Sequence, residues 1–415
     1  MGRLRLSPIV LAAVLVPAFL LPAPASAQLV LGQYEEEAPV RSWNTFALAA
    51  AAALGRGETV LTLGSDASCA AANPALLAGL PAFTLAVNGY VQSAAFDKFG
   101  PVNTGVFVSA GNVGLALAGL DFAGASFRLA GWTFALNVFT SELYGRPAVS
   151  VQDVYNSVLY GETSFSQSGL LRTWQIAVAR RLGSRISLGI ALNVLDGGLE
   201  RELIDKSYGP TTIITDRKKQ TFSGFSVTGG TLVRLSEKLH AAVVFRMPFR
   251  KRIRSTGDLR YEAPAGGTDI TIADAADDRA DLPAVVGLGC RWSVLPDLDI
   301  VGEASASFWS GYRVTFFGDP QVRGFTDAVK AGLGIEYRAG MNLFGSTAVV
   351  PLRIGGVFDS QPIRSPWSAY AGITVGTGVQ WKWAGIDVGG LISRESGSGA
   401  GLAVNKFALT LRFVL

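Results

Sequence analysis

The 415-residue chain has one histidine, two cysteines and three methionines, and only 16% of its residues are charged. Soluble domains usually carry about 25% charged residues. Beyond the N-terminus, no stretch approaches the ~20 uninterrupted apolar residues of a membrane helix. The lone histidine, His240, has no Ser or Cys nucleophile and orienting acid placed around it, as a nucleophilic triad requires. A zinc site would need more ligands than one imidazole supplies. Glycine runs such as Thr228-Gly229-Gly230 lie inside strand patterns, where glycine marks a bend or close packing and not a phosphate loop. Nothing in these residues supports an enzyme: no catalytic set, metal or cofactor is expected. The net charge of +4 is small and belongs partly to the N-terminal segment, so it points to no nucleic-acid partner. Cys290 alternates with Ala284, Val286, Leu288 and Trp292 on an apolar face, whereas Cys69 lies in an N-terminal segment, which argues against a disulfide between them.

What the chain has instead is apolarity without a spanning helix: 49% of its residues are hydrophobic, and 49 are glycine. Arg3 and Arg5, an apolar run from Ile9 to Leu21, and Ala25-Ser26-Ala27 form a charged region, a hydrophobic region and a small-residue cleavage site. Residues 1–27 are therefore expected to be a signal peptide cleaved near Ala27, with the mature chain beginning near Gln28. From 28 to 80 no strand alternation appears. Ser42 to Leu54 reads as a short helix of small residues, with Ser42 or Asn44 as N-cap and Gly55 as its stop. A narrow helix of this kind suits a plug in a confined lumen.

From residue 81 to 415 the rhythm is one of strands. The last is the clearest: Phe407, Leu409, Leu411, Phe413 and Leu415 share one face, and Lys406, Ala408, Thr410 and Arg412 share the other. Such an apolar strand is an aggregation hazard at a free edge but not in a closed barrel facing lipid. Fourteen strands are predicted, near residues 83–92, 114–128, 132–142, 165–182, 186–199, 222–235, 239–254, 284–294, 299–312, 329–338, 348–359, 369–382, 386–394 and 401–415. Tight turns such as Gly183-Ser184-Arg185 and Leu295-Pro296-Asp297 alternate with long loops. An even strand count with this alternation predicts an all-β, 14-stranded antiparallel transmembrane β-barrel with an N-terminal plug, or hatch, in its lumen. The expected site is the outer membrane, with the short turns periplasmic.

In the ninth strand, Asp299, Glu303, Ser305 and Trp309 are expected to face inward, opposite Leu298, Ile300, Ala304 and Phe308. In the seventh, Arg246, Arg250, Arg252 and Arg254 share a face opposite Phe245, Met247, Phe249 and Ile253. A lipid-facing arginine costs about 2–4 kcal/mol at the bilayer midplane. This ladder is therefore expected in the lumen, with Lys251 on the apolar side. Arg246, Arg250 and Arg252 are candidates for binding a ligand carboxylate. Alternatively, the arginines pair with Asp299, Glu303 and the plug acids Glu58 and Asp66, since a buried guanidinium needs a partner.

Several motifs resemble the FadL-like outer-membrane transporters of long-chain fatty acids and aromatic hydrocarbons. Leu54-Gly55-Arg56 followed by Asn73-Pro74-Ala75-Leu76 resembles the hatch of that family, and Phe245-Arg246 its aromatic-Arg strand. Leu282-Pro283, Phe308-Trp309-Ser310 and the run from Arg353 to Pro362 occur in the matching order. The resemblance implies a monomeric barrel closed by the hatch motif Gly55, Arg56, Asn73, Pro74 and Ala75. It implies passive uptake of a hydrophobic small molecule through an internal pocket, with lateral release into outer-membrane lipid. The alternatives are a diffusion pore, against which the plug argues, and a structural or adhesin-like barrel that transports nothing. Deleting residues 28–75 should raise ion conductance in planar bilayers if that segment is a plug. Unchanged conductance would show that it is not.

Overall fold

The computed structural model describes residues 50–98, 112–155, 158–208, 211–264, 267–316, 318–321, 324–343, 346–364, 367–397 and 403–415. The expected signal peptide and the N-terminal part of the expected plug helix lie outside them. Nineteen strand segments form a single sheet. They are β1 (Phe83–Lys98), β2 (Asn112–Leu129), β3 (Trp132–Leu143), β4 (Arg146–Tyr155), β5 (Val158–Leu182), β6 (Ile186–Tyr208) and β7 (Thr211–Arg234). Next come β8 (Leu239–Arg246), β9 (Phe249–Glu262), β10 (Ile270–Leu282), β11 (Val285–Leu295), β12 (Leu298–Ser307), β13 (Arg313–Phe316) and β14 (Asp319–Gln321). The wall is completed by β15 (Ala328–Leu343), β16 (Ser346–Arg364), β17 (Trp367–Trp381), β18 (Ala384–Ser396) and β19 (Ala403–Val414). Segments β3 and β4 follow one another along a single stave of the wall, as do β8 and β9, β10 and β11, and β12 and β13; β14 is a short arm paired with β13. Counted as staves, the barrel has fourteen antiparallel strands, and each of the fourteen predicted strands falls on one of them.

Closure is made by β1 and β19, paired from Thr84↔Val414 to Ala95↔Ala403. Phe83 and Leu415 exchange both backbone hydrogen bonds at 2.9 Å. Leu409, Leu411 and Phe413 point outward, and Ala408, Thr410 and Arg412 point into the lumen, as the alternation of the last strand requires. At the tight-turn end, Trp383 stacks on Phe413 and Phe127 on Phe134, with ring centroids 5.7 and 5.4 Å apart. This is the aromatic girdle expected at a lipid–water interface. Among the described residues no helix is long and apolar enough to cross a membrane.

Two features of the wall depart from the sequence reading. First, β5, β6 and β7 are 25, 23 and 24 residues long, whereas about ten residues cross a bilayer. Of the polar segment expected as a loop between residues 199 and 222, residues 199–208 and 211–222 are strand. Its charges pair across the hairpin: Lys219 with Glu200 at 2.6 Å, Arg217 with Glu202 at 2.8 Å and Arg201 with Asp216 at 2.8 Å. Cross-strand pairs of opposite charge favour continued pairing in water.

Second, the seventh stave breaks at Met247-Pro248. Proline has no N–H to give to the ladder. Thr228 pairs with Arg246 but Gly224 pairs with Lys251, so the β8–β9 stave carries one more residue than β7 across the break. One extra residue flips every later side chain to the other face. Arg246 points inward, but above the break Lys251 and Ile253 are buried in the lumen and Arg250, Arg252 and Arg254 are exposed on the outside. The expected ladder of inward arginines is thus corrected to Arg246 alone, and Lys251 moves from the apolar side to the interior.

The described part of the N-terminal segment lies inside the barrel. Helix α1 (Ala51–Leu54) is buried, and the Ala51 N–H donates to Thr410 Oγ1 at 2.9 Å. Helix α2 (Cys69–Ala72) and a 3-10 turn (Pro74–Gly79) follow. Glycines in the wall make room for the hatch backbone. A Cβ on Gly355 would lie 2.3 Å from the Gly57 nitrogen, and one on Gly189 would lie 2.4 Å from the Pro74 carbonyl carbon. Both cysteines are free, Cys69 buried in the hatch and Cys290 exposed on the outer face. Burial pushes the Cys69 thiol well above its ordinary pKa, so it stays protonated and unreactive. Substituting Gly355→Ala should unseat the hatch, since the clash is with backbone; overpacking of this kind costs about 1–3 kcal/mol. The expected result is higher conductance in planar bilayers and a lower unfolding temperature in detergent, whereas wild-type values for both would show that the hatch does not press on this glycine.

Candidate functional site

The hatch is held by charge. Arg56 Nη1 donates to Glu336 Oε2 at 2.8 Å, and Arg353 Nε donates to the same oxygen at 2.6 Å. Arg353 Nη1 reaches Asp387 at 2.7 Å, and Arg412 lies 3.5 Å from the other oxygen of Asp387. Positive and negative groups thus alternate from the hatch along β15, β16, β18 and β19. Glu303 accepts the N–H groups of Val60 and Leu61 at 2.7 and 2.9 Å. Glu58 pairs with Lys330, Asp299 with Arg338, and Asp66 accepts the Ser68 N–H at 2.9 Å. The wall and plug acids therefore go to the hatch backbone or to these cations, and not to the arginine ladder for which they were alternative partners.

The hatch motif acts as a unit. Asn73 Oδ1 accepts the Ala75 N–H at 3.0 Å, and its Nδ2 donates to the Leu61 carbonyl at 2.8 Å. Pro74 seats against the paired glycines Gly189 and Gly230 of the wall. Gly55 and Gly57 let the backbone pass close to β16 and β17, and Thr374 Oγ1 accepts the Gly57 N–H at 2.7 Å.

Beside the hatch is a cavity of about 90 Å³. Its floor touches Ala71 of α2, and its sides carry Thr173, Asn193, Ser226, Thr228, Arg246 and Lys330. Toward the long-strand end the lining turns apolar, with Leu171, Leu195, Phe249 and Trp309. These belong to a larger lumen cluster with Tyr144, Leu199, Phe222, Ile253, Tyr312 and Phe325. Trp309, Tyr312 and Phe325 meet as a triangle with centroid distances of 5.3 to 5.8 Å. Lys251 sits in this roof, its Nζ 4.6 Å from the Phe222 ring centroid and donating to Tyr144 Oη at 2.9 Å. A cation among aromatic faces is stabilised by the ring quadrupoles.

One side of the cavity is formed by Phe139, Ser141 and Glu142 of β3, where the wall is interrupted. Among the described residues, the β2–β3 ladder runs from Leu129↔Trp132 only to Phe122↔Phe139. Beyond that pair, β3 shifts register against β5 between Thr140 and Glu142 and ends at Leu143. Tyr144 turns fully into the lumen and donates its hydroxyl to Glu142 at 2.7 Å. Its N–H donates to the Gly169 carbonyl at 2.9 Å.

Of the three arginines singled out in the sequence, only Arg246 lines the cavity, between Thr228 of β7 and Val285 of β11. Arg250 pairs on the outer wall with Asp281 at 2.7 Å, and Arg252 is exposed beside it. The sequence reading missed Lys251 and Tyr144. Pro248 signals the first, because a break resets the alternation; Tyr144 has no comparable local signal. His240 lies 3.2 Å from an Arg291 nitrogen near the tight-turn end, away from the cavity. Among the described residues no three His, Cys, Asp or Glu side chains cluster as metal ligands would.

No protein-family model matches the chain, and no curated protein matches it in sequence. Solved structures do. The CymD monoaromatic hydrocarbon channel aligns over 90% of this chain and 99% of its own, with a TM-score of 0.65 and 12% identity. The toluene transporter TbuX of Ralstonia pickettii aligns over 89% and 99%, with a TM-score of 0.62 and 13% identity. A FadL homologue from Pseudomonas aeruginosa aligns over 89% and 99%, with a TM-score of 0.60 and 13% identity. At such identities the likeness is one of fold, and in fold this chain is a plugged fourteen-stranded barrel of the FadL-transporter type.

Proposed function

We propose that the chain is an outer-membrane channel for passive uptake of hydrophobic small molecules, with lateral release into the membrane. The observation that carries this reading is the cavity between the hatch and the apolar roof. A water-filled pore would have no use for a lumen filled by Phe222, Tyr312, Phe325 and Trp309. An amphipathic ligand fits the two halves: its apolar part among the roof side chains, and an anionic head beside Arg246. The fold neighbours support the reading, since the names of two of them specify an aromatic hydrocarbon channel and a toluene transporter.

Lateral release is supported by the interrupted ladder between β2 and β3, which borders the cavity at Phe139 and Ser141. A route through that side spares an apolar ligand transfer to water, which costs about 0.8 kcal/mol for each CH₂. Such movement runs downhill into lipid and needs no energy source.

Mass spectrometry of the organic extract of the detergent-purified barrel tests the reading, with a same-sized porin as control. The expected result is a long-chain acid or hydrocarbon in near-equal amount to protein, and an extract like the control overturns it. If the ligand is an acid, Arg246→Ala should lower its affinity about tenfold, as expected for loss of a charge-assisted contact. Binding of an uncharged hydrocarbon should be unchanged by that substitution. Ser141→Trp should slow ligand uptake into cells at normal barrel abundance. Unaltered uptake would move the exit away from the β2–β3 interruption.

A further inference from the structure

The register of the long strands lines up one row of side chains across the outer wall. Arg172 of β5 faces Asp196 of β6, Asp196 faces Ser223 of β7, Ser223 faces Arg252 of β9, and Arg252 faces Arg279 of β10. All five are exposed. The outward residues next below the row on β5, β6 and β7 are Trp174, Val194 and Phe225, each close to half exposed and apolar; on β9 and β10 the Arg250–Asp281 pair comes first, with the apolar Met247 beyond it. Those next above include Thr221, Arg254 and Asp277. The row is therefore the rim of the lipid-facing belt on the long-strand side. Trp174 marks the same level, donating its indole N–H to Asp196 at 2.8 Å.

Most charges at this rim are matched. Arg250 holds Asp281 at 2.7 Å and Arg254 holds Asp277 at 3.2 Å. Arg172 has Asp196 directly opposite. Arg252 and Arg279 differ. They are directly opposed across the β9–β10 ladder, and among the described residues neither guanidinium forms a salt bridge with a carboxylate. Like charges directly opposite one another destabilise a strand pair. An anion shared between them would turn that repulsion into attraction. Two guanidinium groups suit a phosphate, which accepts paired N–H donors.

We propose that Arg252 and Arg279 together bind the phosphate of an outer-leaflet lipid headgroup, whose acyl chains lie against Phe245, Met247 and Leu288 below. The proposal rests on the outer-membrane reading but not on uptake through the lumen. These arginines are on the opposite face of the wall from the cavity.

The test uses the full purified barrel, exchanged into detergent and titrated with diphosphoryl or dephosphorylated lipid A, with bound lipid read by native mass spectrometry. Wild type should retain the diphosphoryl form about tenfold better, the discrimination expected of charge-assisted contacts to phosphate. Arg252→Gln with Arg279→Gln should abolish that preference, and Arg252→Lys with Arg279→Lys should keep part of it. Arg217→Gln, higher on the same outer wall and paired with Glu202, should leave it intact. Heat-dependent gel migration confirms that each variant is folded. Equal retention of the two lipids by wild type overturns the proposal, as does an undiminished preference in the double glutamine variant. Displacement of the lipid by millimolar inorganic phosphate would also overturn it, since the site would then belong to free phosphate. The double variant should still carry hydrophobic ligand in its organic extract, so loss of lumen binding is read separately.

Discussion

Hydrocarbon offers no partner to a backbone N–H or C=O, and the architecture of this chain answers that constraint. Each strand must be paired on both sides, so the sheet closes between β1 and β19. Closure then fixes the faces: apolar residues outside, and polar or small ones inside. The places where pairing stops, near Tyr144 and at Met247-Pro248, are correspondingly informative. At Tyr144 the freed groups are taken up locally, by the Gly169 carbonyl and by Gln167, whose amide donates to the Tyr144 carbonyl at 2.7 Å.

Closure also creates an interior that must be filled or left wet. Here the hatch fills its lower part, and its fit is set by wall glycines and by the alternating charges of Arg56, Glu336, Arg353, Asp387 and Arg412. In this chain each inner member, Glu336, Arg353 and Asp387, has at least two opposite neighbours. Removing one member leaves an uncompensated buried charge, which typically costs about 3–5 kcal/mol. The hatch is thus seated rigidly by contacts on many staves, and the cavity above Ala71 is a space between two fixed surfaces. Its polar sides and aromatic roof come from β5, β6, β7, β8, β9, β12 and β15 together with the loops near Trp309 and Phe325.

The outer surface follows the same logic at a different boundary. Where the strands leave lipid they keep pairing, because charges such as Glu202 and Arg217 replace apolar contacts across the ladder. On β7 the change from Phe225 to Ser223 takes place within one pleat, so the rim there is sharp.

Much of this was legible in the sequence, because side-chain direction in a strand is a strict period of two. Phe407 to Leu415, Cys290 with its apolar neighbours, and Asp299 with Glu303 all face as their alternation requires. The fourteen staves follow from the same count. Arg56 and Asn73 stood out by motif, and the structure supplies their partners Glu336 and Leu61. What the sequence could not fix was phase across a break. Pro248 announces an interruption, but whether one residue or none is looped out depends on the register of β7 against β9, a contact between residues far apart in the chain. That single residue sent Arg250 and Arg252 outward and Lys251 inward. Tyr144 was invisible for a related reason: its burial comes from the end of the β2–β3 ladder and the roof built by six other staves. Alternation along one strand thus determined the barrel, while pairing between strands decided where its pocket lies and which cations line it.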